Sequence, residues 1–152
     1  NFNSPGQVVI AGAKAAVERA IEGCKALGAK RALPLPVSVP SHCELMRPAA
    51  ERFAESIAAI NWQAPQIPLV QNVSAAVAAD LETLKRDLLE QLYKPVRWVE
   101  SVQTLAANGA TELVECGPGK VLAGLNKRCA DGVSTANLNT PEAFAAARAA
   151  LA

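Results

Sequence analysis

A lone histidine, His42, is the side chain in this sequence best suited to move a proton. It follows an extended, proline-containing segment and precedes a predicted helix, and α/β proteins bind ligands at such crossings from strand to helix. Because imidazole exchanges its proton near neutral pH, His42 could act as the general base that activates a hydroxyl. A loop histidine bonded only to nearby backbone would show the same pattern, so the residue types leave both interpretations open.

The sequence offers this base no convincing nucleophile. No serine stands in the Gly-x-Ser-x-Gly setting that raises a catalytic serine on a strained turn. Cys43 follows His42 directly, but neighbours on an extended segment point to opposite faces, which disfavours a cysteine–histidine pair. A catalytic His42 would therefore act on a nucleophile from outside these residues.

Residues 117–120, GPGK, follow a predicted strand and open a predicted helix, as a phosphate-binding loop does. The rest of that motif is missing, because Val114 stands where its first glycine belongs and Val121 replaces the serine or threonine. A tight turn explains the two glycines better, although backbone amides there could still face a phosphate.

The four cysteines give no sign of a metal site. Cys24, Cys43, Cys116 and Cys129 include no CxxC pair and no zinc-ligand spacing, and His42 is the only imidazole that could join them. We expect reduced thiols in or near the core of a cytoplasmic protein without a metal.

Length, charge and composition limit the classes of protein to which the chain could belong. The 152 residues suit about one domain, and 15 Lys+Arg against 14 Asp+Glu leave a net charge of +1, which argues against nucleic-acid binding through bulk charge. Hydrophobic residues make up 51% of the chain and aromatic residues only 4%, which favours closely packed, alanine-rich helices. The longest uncharged stretch, residues 56–79, contains several side-chain amides and two prolines, so we do not expect it to span a membrane.

The apolar spacing predicts strands that alternate with helices. Predicted strands cover residues 7–11 (with Phe2 on a possible partner strand), 67–70, 113–116 and 133–138. Predicted helices cover residues 13–27, 44–60, 80–93, 95–107 and 120–129, and a last one opens at Pro141. Residues 30–39 are predicted to be extended and interrupted by prolines. This order indicates an α/β fold with a largely parallel sheet.

Four phrases, taken in order, make the chain resemble one enzyme family. Residues 1–12 read NFNSPGQVVIAG, 35–43 read LPVSVPSHC, 91–98 read QLYKPVRW and 115–122 read ECGPGKVL. Together they are similar to the C-terminal half of the bacterial malonyl-CoA:acyl carrier protein transacylases of type II fatty acid synthesis. The likeness runs through essentially the whole chain, and we expect an upstream half before Asn1, where the sequence starts within a strand-like pattern.

The resemblance implies a fold and a division into subdomains. Members of this family have a large α/β-hydrolase-like subdomain that is interrupted by a small ferredoxin-like one. By position, residues 1–38 would be the truncated end of the small subdomain, and residues 39–152 the C-terminal part of the large one. Each would then lack strands, so we expect open sheet edges and exposed apolar surface.

The resemblance also implies the chemistry that the residues alone leave incomplete. The family uses a serine in a Gly-His-Ser-Leu-Gly elbow, an arginine that grips the malonyl carboxylate and a Gly-Gln-Gly loop at the oxyanion hole, and none of these motifs occurs here. His42 matches the family's base, and Gln91 matches the residue whose main-chain carbonyl orients that base. Asn1 and Asn3 match a stretch near the active-site cleft, which makes them candidate substrate-binding residues.

Partners follow from the same resemblance. The implied reaction takes the malonyl group from malonyl-CoA, a coenzyme A thioester, to the phosphopantetheine thiol of acyl carrier protein, with no cofactor bound by the enzyme and with neither nucleic acid nor membrane as a partner. The basic pair Lys30 and Arg31 is a candidate docking point for the acidic carrier, and Lys127 and Arg128 form a second such pair. Two alternatives stay open: a module that binds acyl carrier protein without catalysis, and half of a serine hydrolase or thioesterase with a carboxylate beside His42.

Overall fold

In the computed structural model, which describes residues 1–150, strands and helices alternate along the chain, and the predicted α/β class is confirmed. The elements are β1 (Phe2–Ser4), β2 (Gln7–Val8), α1 (Lys14–Ala26), α2 (Arg47–Ala58), α3 (Leu81–Glu90), α4 (Trp98–Ala107), β3 (Glu112–Glu115), α5 (Val121–Asn126), β4 (Ser134–Asn137) and α6 (Pro141–Ala150). A 3₁₀ turn (Glu44–Met46) leads directly into α2.

The strands form two small sheets within the described part of the chain. β1 and β2 are antiparallel and meet at a turn whose Gly6 has φ +74°, a conformation that favours glycine. β3 and β4 are parallel, in register from Glu112 opposite Ser134 to Glu115 opposite Asn137, and α5 forms the crossover between them. Parallel pairing is thus confirmed for β3 and β4, whereas the β1–β2 pair runs the other way.

One predicted strand is wrong, and one predicted helix begins later than expected. Residues 67–70 form no strand beyond a single bridge between Val70 and Val77, because Pro68 lies within the predicted strand and has no N–H to donate to a ladder. The helix predicted to open at Pro95 begins instead at Trp98. The Phe2 N–H donates to the Val96 carbonyl at 2.8 Å, so the backbone before α4 is hydrogen-bonded to β1 and does not extend the helix.

Other elements differ from prediction only in their ends. The first predicted strand stops at Val8, although Val9 still exchanges two hydrogen bonds with Asn1 at 2.7 and 3.0 Å. The predicted helix at residues 44–60 divides into the 3₁₀ turn and α2. In both cases the predicted type of structure is confirmed, and the strand or helix is shorter than predicted.

The main core lies where amphipathic helices meet. Ile57 on α2 and Leu84 on α3 are buried, these two helices pack against each other, and Val102 on α4 is 1% exposed. Burial of such side chains stabilises the fold by about 1.5–3 kcal/mol each. The packing of α2 against α3 also brings the segment that enters α2 beside the segment that leaves α3, which sets up the site described below.

Large apolar side chains are also exposed. Leu27, Val37 and Ile67 are 91%, 73% and 79% exposed, and Leu33, Leu35 and Val39 add to the exposed apolar positions of the segment between α1 and the 3₁₀ turn. Apolar area of this kind commonly marks a surface that another protein or domain covers. Within residues 1–150, no helix combines the length and hydrophobicity that a bilayer crossing requires.

The cysteines only partly follow expectation. Cys129 is buried, its thiol lies 3.3 Å from the Leu125 carbonyl oxygen, and burial raises the pKa of that thiol. Cys24 and Cys116 are exposed, so the prediction of thiols in or near the core is wrong for these two. Both occupy surface positions, one on α1 and one just after β3.

Candidate active site

His42 lies in the short connection between the extended segment and the 3₁₀ turn. Its backbone N–H donates to the Leu92 carbonyl at 2.9 Å, which joins this connection to the segment that leaves α3. Its φ is +64°, in the left-handed region that costs a residue other than glycine about 1–2 kcal/mol. The backbone at His42 is therefore held in a conformation that an unrestrained loop would rarely adopt.

The His42 imidazole is oriented by a main-chain oxygen. Its Nδ1 atom lies 2.7 Å from the carbonyl oxygen of Gln91, and the ring is half-buried. Because a carbonyl oxygen only accepts hydrogen bonds, Nδ1 must carry the proton of the neutral ring. This leaves Nε2 with a free lone pair, the form in which a histidine acts as a general base.

The Gln91 carbonyl is available because of its place on α3. Gln91 is the residue immediately after the last helical turn, where carbonyl groups have no partner within the helix. The helix dipole also makes this end partially negative, which favours an N–H donor or an imidazolium beside it. A helix end thus supplies the acceptor that a carboxylate supplies in many serine hydrolases.

At its other end α3 begins with a side-chain cap. The Asp80 carboxylate accepts a hydrogen bond from the Thr83 N–H at 2.7 Å, and that bond lowers the pKa of Asp80. Nearby, the buried Gln71 side chain donates to the Leu84 carbonyl at 3.0 Å. These contacts fix the start of the helix whose end faces His42.

Replacing Asp80 with alanine should lower the melting temperature by about 2–4 °C at pH 7, because the Thr83 N–H loses its acceptor. The pKa of Asp80 is lower in the folded than in the unfolded chain, so the carboxylate stabilises the fold above its unfolded pKa of about 3.9. That contribution disappears as the pH falls through the lower, folded pKa. Thermal denaturation at several pH values measures both effects. Asp80→Asn keeps a cap and should cost little at pH 7; an equal loss for both variants would contradict the assignment.

Asn1 and Asn3, the candidate substrate-binding residues, lie on and beside β1. The Asn1 side-chain oxygen accepts a hydrogen bond from the Val96 N–H at 3.3 Å, and the Asn3 carbonyl lies 3.7 Å from the Cys129 sulfur. Both contacts attach β1 to the rest of the chain. Val96 lies five residues beyond Gln91, which connects β1 with the segment that contains the acceptor of His42.

The basic pairs occupy separate places. Lys30 and Arg31 are both exposed and follow the end of α1. Lys127 and Arg128 are exposed just after α5, where the Arg128 guanidinium donates to the Gln7 side-chain oxygen at 2.6 Å. All four basic residues are thus on the surface, and Arg128 also bonds to the first residue of β2.

A carboxylate caps the helix that follows the GPGK turn. The Glu115 carboxylate accepts a hydrogen bond from the Ala123 N–H at 2.8 Å, in the first turn of α5. The carboxylate satisfies one N–H of this helix start, and its charge would repel a phosphate there, which disfavours a phosphate site. Among residues 1–150, no group of His, Cys, Asp and Glu side chains is arranged to hold a metal ion.

Cys43 and an arginine–tyrosine pair flank the histidine–carbonyl contact, and sequence reasoning missed the pair. The Cys43 thiol donates to the Pro40 carbonyl at 3.1 Å, and the Arg47 guanidinium lies 4.1 Å from the centre of the Tyr93 ring. Arg47 is five residues after His42 and Tyr93 is two residues after Gln91. Only contacts between distant segments reveal this pair, because no local pattern in the sequence links the two residues.

Comparison with known proteins gives a consistent result at the level of sequence. The malonyl CoA-acyl carrier protein transacylase of Salmonella typhimurium is 56% identical over 147 residues, which cover 97% of this chain and 48% of that protein. The chain thus spans about half the length of the curated relatives it matches. No protein-family model matches the chain.

Solved structures agree with this likeness. The crystal structure of a malonyl-CoA:acyl carrier protein transacylase from Xanthomonas oryzae superimposes with a TM-score of 0.95 at 50% identity, covering 99% of this chain and 48% of that one. A complex of a type II PKS acyl carrier protein with its malonyl-transacylase gives a TM-score of 0.93 at 52% identity and covers 97% of this chain and 48% of that one.

Proposed function

This chain belongs to the malonyl-CoA:acyl carrier protein transacylases as the counterpart of their C-terminal half, and we propose that it supplies the general base for malonyl transfer to an acyl carrier protein. The observation that carries the proposal is the 2.7 Å contact between His42 Nδ1 and the Gln91 carbonyl oxygen. It leaves Nε2 of the neutral ring able to accept a proton. The nucleophilic serine would come from a counterpart of the N-terminal half.

The proposed reaction has two symmetrical stages. As the serine oxygen attacks the malonyl thioester carbon, Nε2 of His42 takes the hydroxyl proton; it then gives that proton to the departing coenzyme A sulfur. In the second stage Nε2 takes the proton of the phosphopantetheine thiol, whose sulfur attacks the malonyl-serine ester. The serine oxygen leaves and recovers the proton, so one malonyl group has moved and His42 is unchanged.

A carbonyl acceptor suits a transferase. It fixes the tautomer of His42 without placing a full negative charge beside the ring, so it raises the basicity of the imidazole less than a carboxylate would. Weaker activation of water favours attack by the carrier thiol over hydrolysis of the acyl-serine. A hydrolase or thioesterase would be favoured by a carboxylate at Nδ1, and the Gln91 main-chain oxygen occupies that position instead.

The proposal extends to the surfaces around the site. The exposed Lys30 and Arg31 provide positive charge for an acidic carrier, and we assign them a share in docking it. Asn1 lies close to the Gln91 segment through its bond to Val96, which supports a place for residues 1–3 at the edge of the cleft. The division into a small subdomain over residues 1–38 and a large one over 39–152 remains part of the proposal.

The exposed apolar surface fits the same interpretation. Large apolar side chains between α1 and the 3₁₀ turn are exposed, and both sheets contain only two strands within residues 1–150. A counterpart of the N-terminal half would cover such surface and extend such sheets. We therefore propose that the acyltransferase site forms between the two halves.

Intact-mass measurement with malonyl-CoA tests the proposal. We would join the N-terminal half of the Salmonella typhimurium relative to this chain and compare the joined protein with the 152-residue chain alone, using the whole relative as a positive control. The joined protein should gain one malonyl group and pass it to acyl carrier protein, whereas the chain alone should gain none. An adduct on the chain alone, or hydrolysis without transfer by the joined protein, would contradict the proposal.

A further inference from the structure

A contact between two other side chains links the segment of the proposed base to the segment of its acceptor. The Arg47 guanidinium carbon lies 4.1 Å from the centre of the Tyr93 ring, within the range of a cation–π contact. Arg47 is the first residue of α2, and Tyr93 follows Gln91 by two positions after the end of α3. The contact therefore bridges the same two segments that His42 and Gln91 bridge.

A carboxylate fixes the guanidinium in this position. Glu44 accepts two hydrogen bonds from Arg47, from Nε at 2.7 Å and from Nη2 at 2.9 Å, and these bonds lower the pKa of Glu44. This edge-on pairing leaves the flat face of the guanidinium free to lie over an aromatic ring. Because Glu44 is two residues after His42, the pairing also braces the 3₁₀ turn that follows the histidine.

The connection at His42 benefits from such bracing. Its backbone has φ +64°, a strained conformation that persists only where surrounding contacts hold it. The His42 N–H bond to Leu92 and the Nδ1 contact with Gln91 both lie at the histidine itself. A third attachment, five residues further along, resists rotation of the whole connection away from α3.

We propose that Arg47 and Tyr93 form a clasp that positions His42 against the Gln91 carbonyl. The proposal rests on the proposed function, and within it Arg47 and Tyr93 are positioning residues that act through His42. The clasp can change the ratio of aligned to displaced imidazole only by as much as the free energy of the Arg47–Tyr93 contact allows. For an exposed cation–π pair, that free energy corresponds to about a twofold to fivefold change in the ratio.

Because His42 is the only histidine, nuclear magnetic resonance reads its alignment directly. In the untagged chain labelled with ¹⁵N-histidine and studied at pH 9, where an ordinary imidazole is neutral, the Nδ1–H form should dominate. Arg47→Gln and Tyr93→Ala should each lower the ratio of the Nδ1–H to the Nε2–H form by about twofold to fivefold. Tyr93→Phe keeps the ring and should leave the ratio unchanged.

An exposed arginine on the same helix provides the matched control. Arg52→Gln removes an equal charge from α2 and should not alter the His42 ratio. The double variant Arg47→Gln/Tyr93→Ala should match either single variant, because both remove the same contact. An unchanged ratio in Arg47→Gln and Tyr93→Ala, or an equal change in Arg52→Gln, would overturn the clasp.

Kinetics of the joined protein give a second readout. Arg47→Gln should lower kcat by about twofold to fivefold and leave KM for malonyl-CoA unchanged, because the clasp aligns the base and does not touch the substrate. A raised KM with unchanged kcat would instead assign Arg47 to substrate binding and overturn the positioning role. If the joined protein transfers no malonyl at all, the proposed function fails, while the resonance ratio still decides whether the clasp exists.

Discussion

Replacing His42 with alanine in the joined protein should lower the rate of malonyl transfer by about 10²–10⁴-fold, the range that loss of a general base produces. A serine hydroxyl is a weak nucleophile until a neighbouring base removes its proton, and in the proposed reaction the same base also serves the carrier thiol in the second stage. Both half-reactions should therefore slow. Transfer of labelled malonyl from malonyl-CoA to acyl carrier protein measures the rate, and circular dichroism checks that the variant is folded.

Two companion variants separate the base from its surroundings. His42→Gly removes the imidazole without penalty at φ +64°, so its loss of activity should equal that of His42→Ala, which also carries backbone strain. Gln91→Ala should keep most of the activity, because the main-chain oxygen that faces Nδ1 survives the change. A His42 variant that keeps more than about a tenth of the activity would fall outside the range of a general base. A Gln91→Ala loss as large as that of His42→Ala, with the fold intact, would exclude the carbonyl as the orienting group.

Local patterns in the sequence predict the helices of this chain better than they predict its candidate site. α1 and α3 lie within their predicted ranges, because apolar residues repeat at helical spacing and Gly28 follows the first of them as a stop signal. The start of α4 was predicted too early, because the Val96 carbonyl accepts a hydrogen bond from Phe2 on β1, which is distant in sequence. Helix propensity depends on neighbouring residues, so it cannot predict a hydrogen bond to a distant segment.

The candidate site depends on contacts of the same long-range kind. His42 and Gln91 are 49 residues apart, and only the family resemblance suggested their pairing. The residue type alone singled out His42, because imidazole is the one side chain whose ordinary pKa lies near neutrality. The left-handed backbone at His42 and the Arg47–Tyr93 contact arise from the meeting of two segments, so no short pattern could predict them.

Replacing Trp98 with alanine should lower the free energy of unfolding by about 3–5 kcal/mol. Trp98 opens α4, and its ring N–H donates to the side-chain oxygen of Asn126 at 2.9 Å, on the last turn of α5. The substitution removes the ring's packing and leaves a buried acceptor without its donor, since Asn126 is 5% exposed. Because α5 is the crossover between β3 and β4, this bond anchors the parallel sheet to α4. Urea denaturation followed by far-ultraviolet circular dichroism measures the loss.

A double-mutant cycle separates the hydrogen bond from the packing. Trp98→Phe keeps an aromatic ring but no donor, and should cost about 1–3 kcal/mol because the Asn126 oxygen stays buried and unpaired. Asn126→Leu removes the orphaned oxygen, so adding Trp98→Phe to it should cost less than Trp98→Phe does alone. The coupling between the two sites should be at least about 0.5 kcal/mol. Strictly additive losses would mean that packing alone holds α4 against α5, and the bond would then contribute nothing to the anchoring of the sheet.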